Sequence, residues 1–280
     1  MNSVRDYESI LAEAPIERHF CLYPDGIDFD DILGSGTSGV AALIPNTRTV
    51  LKFPFNRDDE YVEPCDREKS IYQLFQASSH PYPRYLLHCE GYTDDGILLE
   101  YAERNAVRLY LMELAGPPPE EIILRWAGEA AEALLFIHMH GVSHGDFNCR
   151  NVFLTKDMQL RVGEITNSYI HAQIPEEALQ EDLRGFGSTL YEMSIGHPPF
   201  PELYSFDRFD ALLEGKHPDI PQTVVLRPII MRCWEGRYSN MKDIREDIKK
   251  ASQLSALQAS FAKAFGFILL AYVTHSITLS

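Results

Sequence analysis

The chain has 280 residues, enough for one large domain or for two lobes that share a cleft. A hydrophobic fraction of 45%, with 11% aromatic residues, supplies a packed core and excludes disorder over most of the length. With 41 acidic against 25 basic residues the formal charge is -16, which argues against nucleic acid or an anionic membrane as partner, since both attract clustered positive charge.

Residues 1–27 read as an N-terminal extension. Their opening, MNSVRDYESILAEAPIERHF, mixes charges with short apolar steps and lacks an apolar h-region, so secretion is not expected. The five cysteines (Cys21, Cys65, Cys89, Cys149, Cys233) are scattered without a CxxC pair. That reads as reduced thiols in a cytoplasmic protein, not as a disulfide framework or a zinc site.

From Asp28 to Phe55 short apolar runs alternate with turn residues. Val40–Ile44 and Thr49–Phe53, joined by Pro45-Asn46-Thr47-Arg48, predict a hairpin. Just before it, GSGTSG places Gly34, Gly36 and Gly39 in a GxGxxG. Two folds use that pattern, a dinucleotide-binding crossover and a phosphate-covering hairpin. The acidic pair Asp58-Asp59 does not exclude the first. The Pro-Asn turn does, because a helix should follow the glycines directly. Lys52, in VLKF, then falls where a second strand puts an ammonium under the glycines, able to hold nucleotide phosphates. DREKSIYQLFQ sets Ile71, Leu74 and Phe75 on one helical stripe and carries Glu68, which can pair with Lys52.

GILLEYAE predicts one more strand. After Pro117-Pro118-Pro119, apolar residues recur at Ile123, Trp126, Ala130, Leu134 and Ile137, with Gly141 as a helix stop. Further helices are predicted in EDLRGFGSTLYEMS, VVLRPIIMRCW and NMKDIREDIKKA. A strand-rich first third thus meets a helix-rich remainder. The apolar run Phe265–Val273 is too short to span a bilayer, which needs about 20 such residues. It reads as a packed helix, with weak membrane contact as the alternative.

The loop HGDFNCRN, from His144 to Asn151, places a carboxylate and then an amide with four residues between them, a spacing of phosphoryl-transfer sites. With the glycine hairpin, Lys52, Glu68, the strand ending at Glu100 and the helix DLRGFGSTLYEM, this text resembles a eukaryotic protein kinase domain over 28–250. The wording CWEGRYS, with Arg237, is similar to the closing helices of that family, and the whole resembles a set of divergent fungal kinase-like proteins with a degenerate Asp-Phe-Gly motif. The resemblance implies an α+β, two-lobed protein kinase-like fold: a small antiparallel β-sheet lobe over 28–100 and a larger helical lobe over 101–250, followed by a tail over 251–280. It implies ATP as cofactor with Mg²⁺ (or Mn²⁺), and a protein substrate or partner. It assigns Asp146 as the catalytic carboxylate and Asn151 and Glu164 as metal ligands. Gly34, Gly36, Gly39, Lys52 and Glu68 become the phosphate-binding set, Glu100 and Tyr101 the hinge that meets adenine, and Leu99 the gatekeeper. His144 reads as a structural residue of the loop.

Three departures stand against the family pattern. Gly145 replaces the arginine before the catalytic aspartate. Asn148 replaces the lysine two residues after it. Glu164-Ile165-Thr166 stand in place of Asp-Phe-Gly. The segment from Glu164 to Asp182 is also short and has no Ala-Pro-Glu at the right distance, so Arg237 either lacks its glutamate or borrows Glu176 or Glu177. Thr166, Ser168 and Tyr169 are candidate phosphorylation positions there. The readings are a protein kinase of reduced activity, a pseudokinase acting as a binding scaffold, and, third, a small-molecule phosphotransferase of the aminoglycoside or choline kinase kind, which shares the HGDxxxxN wording.

Overall fold

The computed structural model describes residues 21–36 and 39–277, with the side chains at 205–206 and 262–277 outside the described set. The alternating first third forms β1 (Ile32–Ser35), β2 (Gly39–Leu43), β3 (Thr49–Pro54), β4 (Cys89–Tyr92) and β5 (Ile97–Glu100). They make one antiparallel sheet in the order β1-β2-β3-β5-β4. The period-two alternation of β3 sorts its side chains. Leu51 and Phe53 join Val40, Ala42 and Ile27 in a small outer core, whereas Val50 and Lys52 face the cleft beneath.

Helix α1 (Asp59–Gln76) links β3 to β4. Its buried residues Cys65, Glu68, Ile71, Tyr72 and Phe75 recur at helical spacing, so the same stripe that docks the helix carries the Glu68 carboxylate into the interior. Leu74 is only partly buried, one position off that stripe.

The chain then passes through α2 (Val107–Glu113) into α3 (Glu120–Met139), whose predicted stripe from Ile123 to Ile137 is buried throughout. Gly141, at φ 71°, turns the chain out of the helix. Two short ladders frame residues 144–151: β6 (Val142–Ser143) pairs with β9 (Tyr169–Ile170), and β7 (Val152–Leu154) pairs with β8 (Leu160–Val162). Helices α4 (Glu176–Ile195), α5 (Ser205–Leu213), α6 (Arg227–Trp234) and α7 (Met241–Ile277) complete the larger lobe. The architecture is α+β, a small antiparallel sheet lobe on a larger helical one.

Helix α4 begins at Glu176, ahead of the EDLR at which the pattern places it, because Pro175 in an extended conformation caps it and Glu176 and Glu177 complement its first turn. α6 starts later than VVLR suggests, at Arg227, with Pro228 in its first turn. α7 runs through residue 250 without a break, its start docked by buried Ile244 and Ile248. The side chains of the apolar run 265–273 and all of residues 1–20 lie outside the described set. Among the described residues no helix is long and apolar enough to cross a membrane.

Candidate active site

Between the sheet and the helices lies a cleft of about 460 Å³. Gly34, Gly36, Gly39, Lys52, Leu99, Glu100, Tyr101, Asp146, Asn151 and Glu164 all line it, and Glu68 is buried behind Lys52. The three glycines differ in what demands them. A Cβ at Gly39 would lie 2.3 Å from the Phe53 carbonyl oxygen, so strand pairing itself requires glycine there. At Gly34 a Cβ would meet nothing, and at Gly36 it would make an ordinary 3.5 Å contact with Glu164 Oε1.

Lys52 is the centre of the upper half. Its Nζ lies 2.6 Å from Glu68 Oε2, 2.7 Å from Glu164 Oε1 and 2.6 Å from Thr166 Oγ1. An ammonium has three N–H donors, so every one is committed. The Thr166 hydroxyl is 2.8 Å from Glu68 Oε2 and 3.0 Å from Glu164 Oε1, within reach of donating to either. Burial alone would lower the Lys52 pKa, but Glu68 and Glu164 outweigh it and raise it above the ordinary lysine range. Burial pushes Glu68 up against the pull of Lys52. For Glu164 the balance is reversed: burial raises it, yet Lys52 holds it below the usual carboxylate range. Glu164 sits at φ 54°, ψ 54°, a left-handed conformation that costs a residue with a Cβ about 1–2 kcal/mol.

The lower half is the loop after β6. Asp146 Oδ1 accepts from Asn148 Nδ2 at 2.7 Å and Oδ2 from Asn151 Nδ2 at 2.9 Å, so two amides fix the carboxylate plane. The loop hangs on Asp182 of α4. Its buried carboxylate accepts from the backbone N–H of His144 and of Gly145, each at 2.8 Å, and from His138 Nε2 at 2.8 Å. Burial lowers the His144 pKa, and its Nε2 meets the Gly163 carbonyl at 3.2 Å. A neutral imidazole bridging two backbone segments is a structural role.

Gly145 has its own reason to be glycine. It lies at φ 75°, and a Cβ there would stand 2.5 Å from the Asn167 carbonyl oxygen. The one-turn 3-10 helix Ile165–Asn167 therefore crosses directly over the loop. Gly145→Ala should destabilise the fold by about 1–3 kcal/mol. A denaturant titration should show the midpoint falling at constant slope; an unmoved midpoint would mean that the turn yields freely.

The turn is also tied from the other side. Ser168 Oγ donates to the His144 carbonyl at 2.9 Å, and Arg67 of α1 stacks on the Tyr169 ring at 4.5 Å. Thr166 and Ser168 are buried and Tyr169 is exposed, so of the three hydroxyls only that of Tyr169 belongs to an exposed residue. Arg237 pairs with Glu235 at 2.9 Å and not with Glu176 or Glu177. Both belong to the tight turn after α6, and that local partner wins over a distant one.

Sequence comparison agrees with this geometry. The chain is 27% identical over 232 residues to a probable serine/threonine-protein kinase of Clostridium acetobutylicum, covering 71% of this chain and 35% of that protein. It is 22% identical over 219 residues to a serine/threonine/tyrosine-protein kinase of Arabidopsis thaliana (69% and 56%), and 27% over 220 residues to the eta type protein kinase C of Mus musculus (69% and 32%). Over about 70% of its length this chain is similar to protein kinases. It spans 35% of the first of these relatives and just over half, 56%, of the second. No protein-family model matches it.

Three contacts of the candidate site were not legible in the sequence. Asn148 was legible only as a missing lysine, yet its amide orients Asp146. Asp182 was legible as the start of a buried helix, not as the anchor of the loop. Thr166 bridges Lys52, Glu68 and Glu164; a hydroxyl two residues after Glu164 was its only signal.

Proposed function

We propose that the chain is an ATP-dependent protein kinase of reduced activity, which moves the γ-phosphate of ATP to a protein hydroxyl in the cytoplasm. The observation that carries this is the joint assembly of Lys52, Glu68 and Glu164 above Asp146 and Asn151 in one cleft. Leu33, Ala41 and Val50 above and Phe153 below give the cleft apolar walls suited to a planar base, with the backbone of Glu100 and Tyr101 at its edge. Lys52 would hold the phosphates, and Asp146 would orient the attacking hydroxyl and take its proton. Glu68 fixes the direction of Lys52.

The residues present also fit a divalent cation. Asn151 turns its amide nitrogen to Asp146, leaving its oxygen unengaged, and Glu164 Oε2 makes no bond among the described residues. Both are hard oxygen donors of the kind Mg²⁺ accepts. No group of three or more His, Cys, Asp or Glu converges among the described residues, which suits a metal shared with phosphates better than a protein cage. When bound, such an ion would neutralise developing phosphate charge.

The reduction in rate follows from the same geometry. Glutamate reaches Lys52 and uses a donor that a phosphate needs, so nucleotide binding must break that bond. A second reading, a scaffold that has lost transfer, is favoured by one observation. Only five residues, 171–175, join β9 to α4, leaving little chain to shape a peptide-docking surface.

Asp146→Asn separates the two. Phosphate transfer should fall about 10²- to 10⁴-fold, while a non-hydrolysable ATP analogue with Mg²⁺ still binds in calorimetric titration. Undiminished transfer would remove Asp146 from the mechanism. A native chain that binds no nucleotide, with or without Mg²⁺ or Mn²⁺, would leave the scaffold reading.

A further inference from the structure

Away from Lys52 and Glu164 the cleft is lined by Arg108 and Leu109 of α2 and by Arg150 of the loop at 144–151, and there it carries arginines. Arg108 of α2 makes two parallel bonds of 2.6 Å to Glu192 of α4, so a buried carboxylate neutralises it. Arg150 is exposed and lines the cleft with Asp146. Only its backbone N–H is bonded, to Asn148 Oδ1 at 2.9 Å, and its guanidinium has no partner among the described residues. Arg208 of α5 donates to the carbonyls of Phe200 and Pro201 at 3.0 and 3.2 Å, which fixes the guanidinium without cancelling its charge.

Arg108 and Arg150 both lie within electrostatic reach of Arg208. Burial first, then repulsion by Arg108 and Arg150, holds Arg208 below the ordinary guanidinium range, against the opposing pull of Glu192 and Glu202. Neither Glu202, which attracts Arg208, nor Glu181, which feels Asp182 and Asp146, forms an ion pair with Arg150 or Arg208 among the described residues. A chain of net charge -16 places an unpaired cation, Arg150, in the cleft that holds its candidate catalytic carboxylate, with Arg208 close enough to feel it, where composition alone predicts the opposite sign. Such a local field selects partners and speeds their approach.

We propose that this rim is the acceptor-side docking surface and that it takes an acidic segment of protein carrying the hydroxyl to be phosphorylated. Arg150 and Arg208 set the preference, and Glu192 removes Arg108 from it. The proposal rests on the kinase reading above and adds the substrate class.

The test is fluorescence anisotropy on the full chain with two labelled peptides of equal length. Each has a central serine, one flanked by Glu and Asp, the other by Lys and Arg, and each is titrated with and without the ATP analogue and Mg²⁺. The acidic peptide should bind at least about tenfold more tightly, and Arg150→Glu should weaken it about tenfold. Added salt should weaken it too. Arg208→Glu should act in the same direction; should it fail to fold for want of its carbonyl contacts, Arg150→Glu, exposed and unpartnered, decides alone. Equal or tighter binding of the basic peptide overturns the proposal. So does an Arg150→Glu variant that keeps its acidic-peptide affinity, or one that loses nucleotide affinity instead, since the arginine would then serve the nucleotide. Absence of nucleotide binding overturns the kinase reading alone, because the peptide comparison is read without nucleotide as well.

Discussion

Lys52→Ala should destabilise the folded chain by about 3–5 kcal/mol, the usual cost of removing one partner from a buried ion pair. The reason lies in what stays behind. Glu68 is wholly buried, its Oε1 has no partner among the described residues, and its Oε2 depends on Lys52 and Thr166. Without the ammonium, Glu68 avoids an uncompensated charge by taking up a proton, so its pKa, already raised by burial, rises further. A folded-state pKa above the unfolded value stabilises below the unfolded value, and that contribution is lost as pH rises through the folded one. The variant should therefore melt at a higher temperature in mild acid than at neutral pH. Adding Glu68→Gln should recover part of the loss and flatten the pH dependence. Binding of the ATP analogue should disappear in the single variant. A denaturation midpoint equal to that of the native chain would show that the pair does not hold α1 in place, and unchanged nucleotide binding would take Lys52 out of the site.

The elements that could be read from the sequence are those whose own periodicity decides them. The β2–β3 hairpin was legible because a Pro-Asn turn separates two alternating runs, and α3 because five apolar positions recur at helical spacing between a proline run and Gly141. The strand β5 was visible in GILLEYAE, but its partner β4 was not. CEGY is too short and mixed to show alternation, and it becomes a strand only because β5 offers it an edge. The same holds for β6 to β9, whose two- and three-residue ladders exist to frame one loop. α5 was hidden by an uneven apolar pattern, and α2 by its seven residues.

In the site, residue types were legible and their distances were not. Glu68 was legible from its place on the helix that follows Lys52, and the structure puts it on the buried stripe of Ile71 and Phe75. Gly145 was read as an absent arginine; the structure gives it a positive reason, the approach of Asn167. Neither φ 75° nor that carbonyl can be seen in the letters HGD. Of the two readings of Arg237, the loss of its distant glutamate holds and the borrowing of Glu176 or Glu177 does not, and its actual partner, Glu235, was two residues away.

Glu164→Asp should raise phosphate transfer, by about a hundredfold if the present carboxylate is misplaced by about 1 Å. Two effects act in the same direction. Aspartate is one methylene shorter, so from the same backbone it cannot hold Lys52 at the present 2.7 Å, and one ammonium donor becomes available to a phosphate. Aspartate also tolerates the left-handed conformation at this position better than glutamate, because its short side chain bonds locally, so the turn should gain stability. Transfer from ATP with Mg²⁺ to a generic protein acceptor, measured beside calorimetric affinity for the ATP analogue, separates the two contributions. A rise in turnover without a change in affinity places the gain in carboxylate position, and a rise in affinity places it in the freed donor. Should Glu164→Asp leave both quantities where they are, the glutamate is not what limits the site. The five-residue link from β9 to α4 would then be the part that sets this chain apart from an active kinase.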